Sequence, residues 1–339
     1  MNTQTPSSLA SLLTQGIAAR APLLERLHQE GTDCYRMLHG ATEGCPGLTV
    51  DRYGPLLWVQ TFKEPLPTGS LEALEQAAWQ ALDLPLVPVW NHRAQAKHPA
   101  GEYSSPPGAH GQHLVREAGL AFEICTRPWG KDPWLFLDFR ATRAWVRAHA
   151  DGCSVLNLFA YTCGVGLAAK AGGASEVWNV DFASSALEVG ARNLEHNHID
   201  IDSCVNIQAD VIPTVRQLAG LPVKGRGARR RRFPRFEARQ FDIVVLDPPT
   251  WATSPFGAID PVRDYGSLLK PSLLATKPGG TLVATNHVST VDLDVWVAGL
   301  ERSAHKAGRP LRSVEILPPE QDYPSNDGRH PLKVAIIGA

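Results

Sequence analysis

Residues 154–181, SVLNLFAYTCGVGLAAKAGGASEVWNVD, and residues 241–251, FDIVVLDPPTW, decide the fold. A short apolar run from Val155 to Phe159 breaks into a glycine turn, Gly164 and Gly166, and then into an alanine-rich stretch. That succession predicts a strand, a loop and a helix that hold a nucleotide-like ligand against backbone amides. A second apolar run, 176–180, delivers Asp181 to its carboxyl end, where an acid accepts hydrogen bonds from ribose hydroxyls. Folds that bind NAD and folds that bind S-adenosylmethionine (AdoMet) share this geometry, so the glycines alone do not separate them.

Asp247-Pro248-Pro249 separates them. It closes a buried strand, 241–246, at the end where open α/β sheets place their chemistry. Two prolines remove two backbone donors and fix φ, so the turn offers a rigid carboxylate and bare carbonyl oxygens. Those acceptors suit an amine or a base edge, and hydride transfer has no use for them. Methylation of a nucleobase does.

Composition narrows the rest. The 339 residues are 43% hydrophobic and 20% charged, enough for two domains with full cores. A formal net charge of −1 excludes a global attraction to polyanions, so a nucleic-acid site must come from local clustering. The six cysteines (Cys34, Cys45, Cys125, Cys153, Cys163, Cys204) are scattered, with no Cys-x-x-Cys pair, which points away from a zinc site and from a disulfide framework. The start, MNTQTPSSLASLLTQ, lacks a basic leader with an apolar run, and no stretch reaches the length of a membrane span. A cytoplasmic protein is expected.

Along the chain, leucines at helical spacing predict a helix over 8–30. Short alternating runs follow from Thr32 to Phe62, then a helix over 70–82 and a strand in LPLVPVWNH, making a small α+β substrate-binding domain over 1–112. Residues 113–125 read as a hairpin turning at Ala118-Gly119, and an entry helix completes a link over 113–145. From 146 to 339 strand and helix alternate, with seven strands at 155–159, 176–180, 204–209, 241–246, 280–285, 312–317 and 332–337. This is a doubly wound α/β pattern of Rossmann-like type. Its last two strands come with only a loop between them, which predicts a closing antiparallel element. One insertion, PVKGRGARRRRFPRFEARQ at 222–240, carries eight basic residues against the single acid Glu237. Arginines 229–232 (Arg229, Arg230, Arg231, Arg232), interleaved downstream with Phe233 and Phe236, fit RNA phosphates and splayed bases.

At these residues the chain resembles the large-subunit ribosomal RNA methyltransferase family that includes the cytosine-C5 enzyme I and the guanine-N7 enzyme K/L. TDCYRMLHGATEGCPGLTVDRYGPLLWVQ is similar to the family's central domain, and VREAGLAFEICTRPWGKDPWLFLDFR to its linking hairpin and entry helix. NLFAYTCGVG resembles its AdoMet loop, LDPPTW its catalytic loop and QDYPSNDGRHPLKVAII its closing hairpin. The resemblance implies a class I AdoMet-dependent methyltransferase with a seven-stranded sheet, acting on RNA without a metal. Three departures stand out. The central-domain pattern starts near Thr32, without the RNA-binding module that often opens this family, and Lys131-Asp132-Pro133 replaces its Lys-Thr-Gly. Where cytosine-C5 members carry Ser-Cys-Ser, this chain reads ATNHVST at 284–290.

Cytosine-C5 transfer needs a thiolate to add to ring carbon six, whereas a ring nitrogen is already nucleophilic and needs only positioning. Asn286 resembles the Ser-Asn-Asn of the guanine-N7 members. Residues Phe159, Ala160, Tyr161, Thr162, Gly164 and Gly166 are expected to cradle the methionine part of AdoMet. Asp181 is expected to hold the ribose, Phe182 to stack on adenine and Asp210 to meet its amine, although an aspartate before a helix is also an ordinary N-cap. Asp138 and Arg140 match the family's Leu-Asp-x-Arg and are expected to close over AdoMet. A base flipped from RNA is expected to lie against Asp247, Pro248 and Pro249, with Trp251 as stacking wall and Asn286 on its polar edge. His287 reads more simply as a satisfied histidine than as an acid or base. The expected activity is direct transfer to a nitrogen of an rRNA base, guanine favoured. The alternatives are cytosine-C5 transfer and an RNA-binding assembly factor that kept the fold.

Overall fold

The computed structural model describes residues 5–93, 103–104, 109–126, 132–223 and 232–339. They form two compact units, Met1–Asp138 with Glu320–Arg329, and Phe139–Pro319 with His330–Ala339.

In the first unit, helix α1 (Pro6–Ala19) is opened by a Thr5 capping box and buries Leu9, Leu13 and Ile17. The helix expected over 8–30 breaks at Arg20, and α2 (Ala21–Gln29) restarts on Pro22, which fits a first turn but not a helix interior. Strands β1 (Cys34–Leu38), β2 (Leu48–Tyr53), β3 (Leu56–Thr61), β4 (Val87–His92) and β5 (Tyr103–Ser104) make a sheet in that spatial order, with α3 (Ser70–Leu82) between β3 and β4. β3 and β4 pair parallel, and the helical crossover between them is what parallel pairing requires. A separate hairpin joins β6 (Gln112–Glu117) to β7 (Leu120–Cys125) through Ala118 (φ 49°) and Gly119 (φ 77°), the positive-φ pair of a tight turn.

Residues 320–329 return to this unit, which the sequence reading placed in the closing hairpin. Arg36 is the reason. Its guanidinium holds Asp51 through two bonds of 2.7 and 3.0 Å and lies 4.4 Å over the Tyr323 ring, while its backbone amide donates to Asp322. Burial works against the Arg36 charge, but Asp51 outweighs it and raises the pKa. Asp138 lies within the same electrostatic cluster.

The second unit opens with α4 (Arg140–His149) and then alternates β8 (Ser154–Leu158), α5 (Gly164–Ala171), β9 (Glu176–Asp181), α6 (Ser184–His196), β10 (Cys204–Gln208), α7 (Val211–Leu218) and β11 (Phe241–Leu246). A small hairpin of β12 (Ala252–Ser254) and β13 (Gly257–Ile259) follows. Then come α8 (Gly266–Leu274), β14 (Thr276–Asn286), α9 (Leu293–Lys306), β15 (Ser313–Leu317) and β16 (Lys333–Gly338). The seven-stranded sheet runs β10-β9-β8-β11-β14-β16-β15. All pairs are parallel except those of β16, which runs antiparallel to both β14 and β15, the closing element expected from the sequence. Strand β8 is buried at every position, as helices on both faces of a parallel sheet demand.

Strand order reverses between β8 and β11, where Val155 to Leu158 pair with Ile243 to Leu246. Open α/β sheets bind ligands outside the carboxyl ends of the strands at such a switch point. The loops after β8 and after β11 therefore share one crevice edge, and both carry the residues the sequence singled out.

Candidate active site

The loop after β8 is strained and firmly held. Phe159 (φ 61°), Tyr161 (φ 49°) and Cys163 (φ 62°) alternate in the left-handed region that bulky residues avoid. Such conformations cost about 1 kcal/mol or more each and persist only where surroundings impose them. Here the amide of Ala160 donates to Val180 O, that of Tyr161 to Asp181 Oδ2 at 2.8 Å, and that of Cys163 to Ala160 O. From the other side Asn193 Nδ2 donates to Thr162 O. Alternating backbone handedness turns successive peptide groups toward one side, a shape that receives polar ligand groups.

Asp181 is only 5% exposed, and its second oxygen accepts from the amide of Ala183. Burial raises its pKa, opposed by these backbone hydrogen bonds. Next to it Phe182 is 62% exposed, a ring held at the surface beside the carboxylate. Asp210 follows β10 as the N-cap of α7, accepting from Ile212 N at 2.9 Å through Oδ1. An acid after each of β9 and β10, an exposed ring beside the first, and a left-handed loop bonded to that acid fit an adenosine-bearing cofactor.

Two expected cradle residues separate here. Gly164 opens α5 on the loop, but Gly166 serves packing: a Cβ there would lie 2.1 Å from Asn179 Oδ1. Asn179 is the centre of a buried ladder across three strands in register, receiving from Asn157 Nδ2 (2.9 Å) and donating to Asn206 Oδ1 (3.0 Å). The glycine is needed because this ladder leaves no room beneath the helix. Asp138 and Arg140 divide between the two units, Asp138 ending the first and Arg140 standing buried in the first turn of α4.

After β11, Asp247 stands beside Thr285 of β14, as the pairing of Leu246 with Ala284 dictates. Thr285 Oγ1 donates to Asp247 Oδ1, and His287 Nε2 lies 2.7 Å from the same oxygen. An ionised carboxylate only accepts, so Nε2 is the protonated ring nitrogen. Its plane stacks on Phe139 at 6.2 Å and 22°, and the Tyr265 hydroxyl fixes the backbone below by donating to Thr285 O at 2.8 Å. Asp247 and His287 keep 25% and 30% of their side-chain surface, so the pair faces the crevice. Pro248 is buried, Pro249 half-buried, and Trp251 is 65% exposed at the start of β12.

Asn286 does not join them. It is fully buried, with Oδ1 accepting from Val288 N and Nδ2 facing Pro261 O at 3.5 Å. Strand parity is the reason: successive residues point to opposite faces, so Thr285 and His287 share the Asp247 side and Asn286 takes the other. Parity together with the register of β11 on β14 is the signal that places His287 with Asp247, where the sequence alone reads it as a satisfied histidine.

Arg229, Arg230 and Arg231 lie outside the described residues, while Arg232 is exposed at the start of the described stretch 232–240. Among the described residues no group of three or more His, Cys, Asp or Glu side chains is placed to hold a metal ion, and no helix is long and apolar enough to cross a membrane.

Known proteins give this arrangement a context. The profile of the S-adenosylmethionine-dependent methyltransferases matches residues 35–337. A Deinococcus radiodurans protein named ribosomal RNA large subunit methyltransferase is 32% identical over 324 residues, 91% of this chain and 74% of that protein. An Aeromonas salmonicida protein named ribosomal RNA large subunit methyltransferase I is 28% identical over 90% of this chain and 73% of its own length. Among solved structures, a methyltransferase complexed with SAH superposes with a TM-score of 0.78 at 21% identity, covering all of this chain and 83% of that one. At that identity the likeness bears on the fold alone.

Proposed function

The chain belongs to the family of S-adenosylmethionine-dependent methyltransferases, and from that premise we propose that it methylates a base of large-subunit ribosomal RNA in the cytoplasm, by direct transfer to a nitrogen, with guanine favoured. The names of its Deinococcus and Aeromonas relatives support the RNA class. AdoMet, its cofactor, supplies a methyl group on a cationic sulfur, open to attack by an electron pair. The backbone of 159–162 holds the methionine portion, Asp181 the ribose hydroxyls, and Phe182 the adenine face. Asp210 meets the adenine amine with the oxygen its helix cap leaves over.

The observation that carries the choice of acceptor is the Asp247 carboxylate, with both intramolecular partners, Thr285 and His287, on Oδ1. The other oxygen, with carbonyls of the proline turn, makes an acceptor-only edge. Guanine offers two adjacent donors on its pairing edge, so such a surface fixes it while a ring nitrogen attacks the methyl group. Trp251 stacks on the flipped base. Within the second unit a cytosine-C5 route lacks its thiol: Thr285 and His287 occupy the strand end beside Asp247, Cys153 and Cys204 lie at the amino ends of β8 and β10, and Cys163 is buried.

The test is transfer of labelled methyl from AdoMet to ribosomal RNA from a strain lacking the protein, followed by nucleoside mass spectrometry. Methylated guanosine is the expected product. 5-Methylcytidine replaces the nitrogen reading, and label on protein but not on RNA replaces the substrate class.

A further inference from the structure

The described end of the arginine-rich segment is fastened to the fold at four places. Phe233 packs edge-to-face on Phe256, with ring centres 5.2 Å apart at 82°. Gln217 clamps the next turn, donating to Pro234 O and accepting from Phe236 N. Phe236 then packs on Trp178, and Arg239 forms a two-fold pair with Glu176. Arg239 is thereby committed to the fold. Arg235 is not so committed: its guanidinium lies 4.5 Å over the Phe233 ring while the residue stays exposed, as does Arg232.

Phe256 belongs to the turn of the β12–β13 hairpin, which Ile259 roots in the core and whose first strand begins directly after Trp251. The exposed indole and the Phe256–Phe233–Arg235 stack therefore stand at the two ends of one short hairpin. Three strand residues, Ala252–Ser254, span the distance between them, roughly 10 Å, which is the rise of about three stacked bases at 3.4 Å each. Between the ends, Thr253, Pro255, Gly257 and Ala258 are exposed and carry no charge.

We infer that this surface, from Trp251 along the hairpin to Phe256, Phe233 and Arg235, grips single-stranded RNA next to the target base, with Arg232 and Arg235 on its phosphates. The inference rests on the RNA reading above. Two chemical features select a single strand over other polyanions. An arginine plane held on an aromatic ring presents its remaining face to a base and its N–H groups to phosphate. An uncharged ribbon ending in aromatic rings stacks splayed bases without reading their order, and a duplex offers no free base faces to it. A chain of net charge −1 has little other use for an arginine held on a ring in this way, with a second exposed arginine three residues before it.

The test is fluorescence anisotropy of the full chain with a labelled oligouridylate of about 12 nucleotides and with a duplex of equal length, across about 50–200 mM salt. The wild-type chain is expected to prefer the single strand. Replacing Arg232→Gln and Arg235→Gln together should flatten the slope of log affinity against log salt by about 1.4. Phe256→Ala, which releases Phe233 and its arginine, should weaken binding roughly tenfold, with AdoMet affinity by calorimetry unchanged. Unchanged slope and affinity in both variants, or equal affinity for the duplex, overturns the surface. If wild type methylates ribosomal RNA while the variants bind as it does, only the surface fails. If the oligonucleotide results come out as expected but no ribosomal RNA is methylated, only the substrate reading fails.

Discussion

His287 Nε2 and Asp247 Oδ1 lie 2.7 Å apart, with the imidazole stacked on Phe139 and the carboxylate also receiving the Thr285 hydroxyl. Two donors on one oxygen hold the carboxylate plane still and leave Oδ2 open to an outside donor. On the proposed reading His287 would act on the acceptor base through Asp247, as a positioning residue. His287→Ala should lower kcat by roughly 10- to 100-fold, in the range of lost orientation, with little change in AdoMet affinity. Asp247→Ala should abolish transfer, again sparing AdoMet. Single-turnover assays paired with calorimetry check both, and joint loss of AdoMet binding would mean that Asp247 holds the fold rather than the base.

Gly166→Ala should destabilise the second unit by about 1–3 kcal/mol, the usual cost of overpacking, because the added methyl meets Asn179. Asn179→Ala costs stability too, by breaking the ladder to Asn157 and Asn206. Combining the two should cost less than their sum, since each removes what the other clashes with. Urea denaturation of the four chains measures this coupling, and strict additivity would disprove the packing role.

Much of this was legible because the signals were local. Apolar runs ending in Asp181 and Asp247 mark the carboxyl ends of parallel strands, and a glycine turn marks the cofactor loop. What was hidden depended on pairing. Asn286 reads as a site residue until the register of β11 on β14 is known, after which parity sends it inward and brings Thr285 and His287 to Asp247. Gly166 reads as a cradle glycine until Asn179 is found beneath it. The β12–β13 hairpin carries too few residues to show a period. The pull of residues 320–329 toward Arg36 arises from contacts nearly 290 positions apart.

At the opposite end of the sheet, Asp242 accepts from Lys277 Nζ and from the amide and hydroxyl of Ser154. Burial works against its charge, but these bonds outweigh it and hold the carboxyl down at about 2. A depressed acid contributes stability that is complete above its ordinary value of 3.8 and is lost as pH falls through about 2. Because Asp242 and Lys277 are 34% and 44% exposed, screening reduces the contribution to about 1 kcal/mol. Asp242→Asn should therefore shift the urea midpoint at pH 7, and the gap from wild type should narrow below about pH 4. A gap that is constant with pH would remove the ion pair from the account.

Cys163 is the cysteine of the loop after β8, and its environment makes it inert. The thiol is fully buried, with Sγ facing Asn206 Oδ1 at 3.5 Å. Burial first, then the charges of Cys204 and Asp181, push its pKa well above the ordinary value. The thiolate required for addition to a cytosine ring is thus suppressed at neutral pH. Ribosomal RNA carrying 5-fluorocytidine should accordingly form no denaturant-stable adduct with the protein, because fluorine at carbon five traps only those enzymes that have bonded to carbon six. Methyl transfer to the same RNA should continue, since a guanine nitrogen is untouched by the fluorine. A stable adduct mapping to any cysteine would instead establish covalent catalysis, and Asp247 would then be orienting a cytosine.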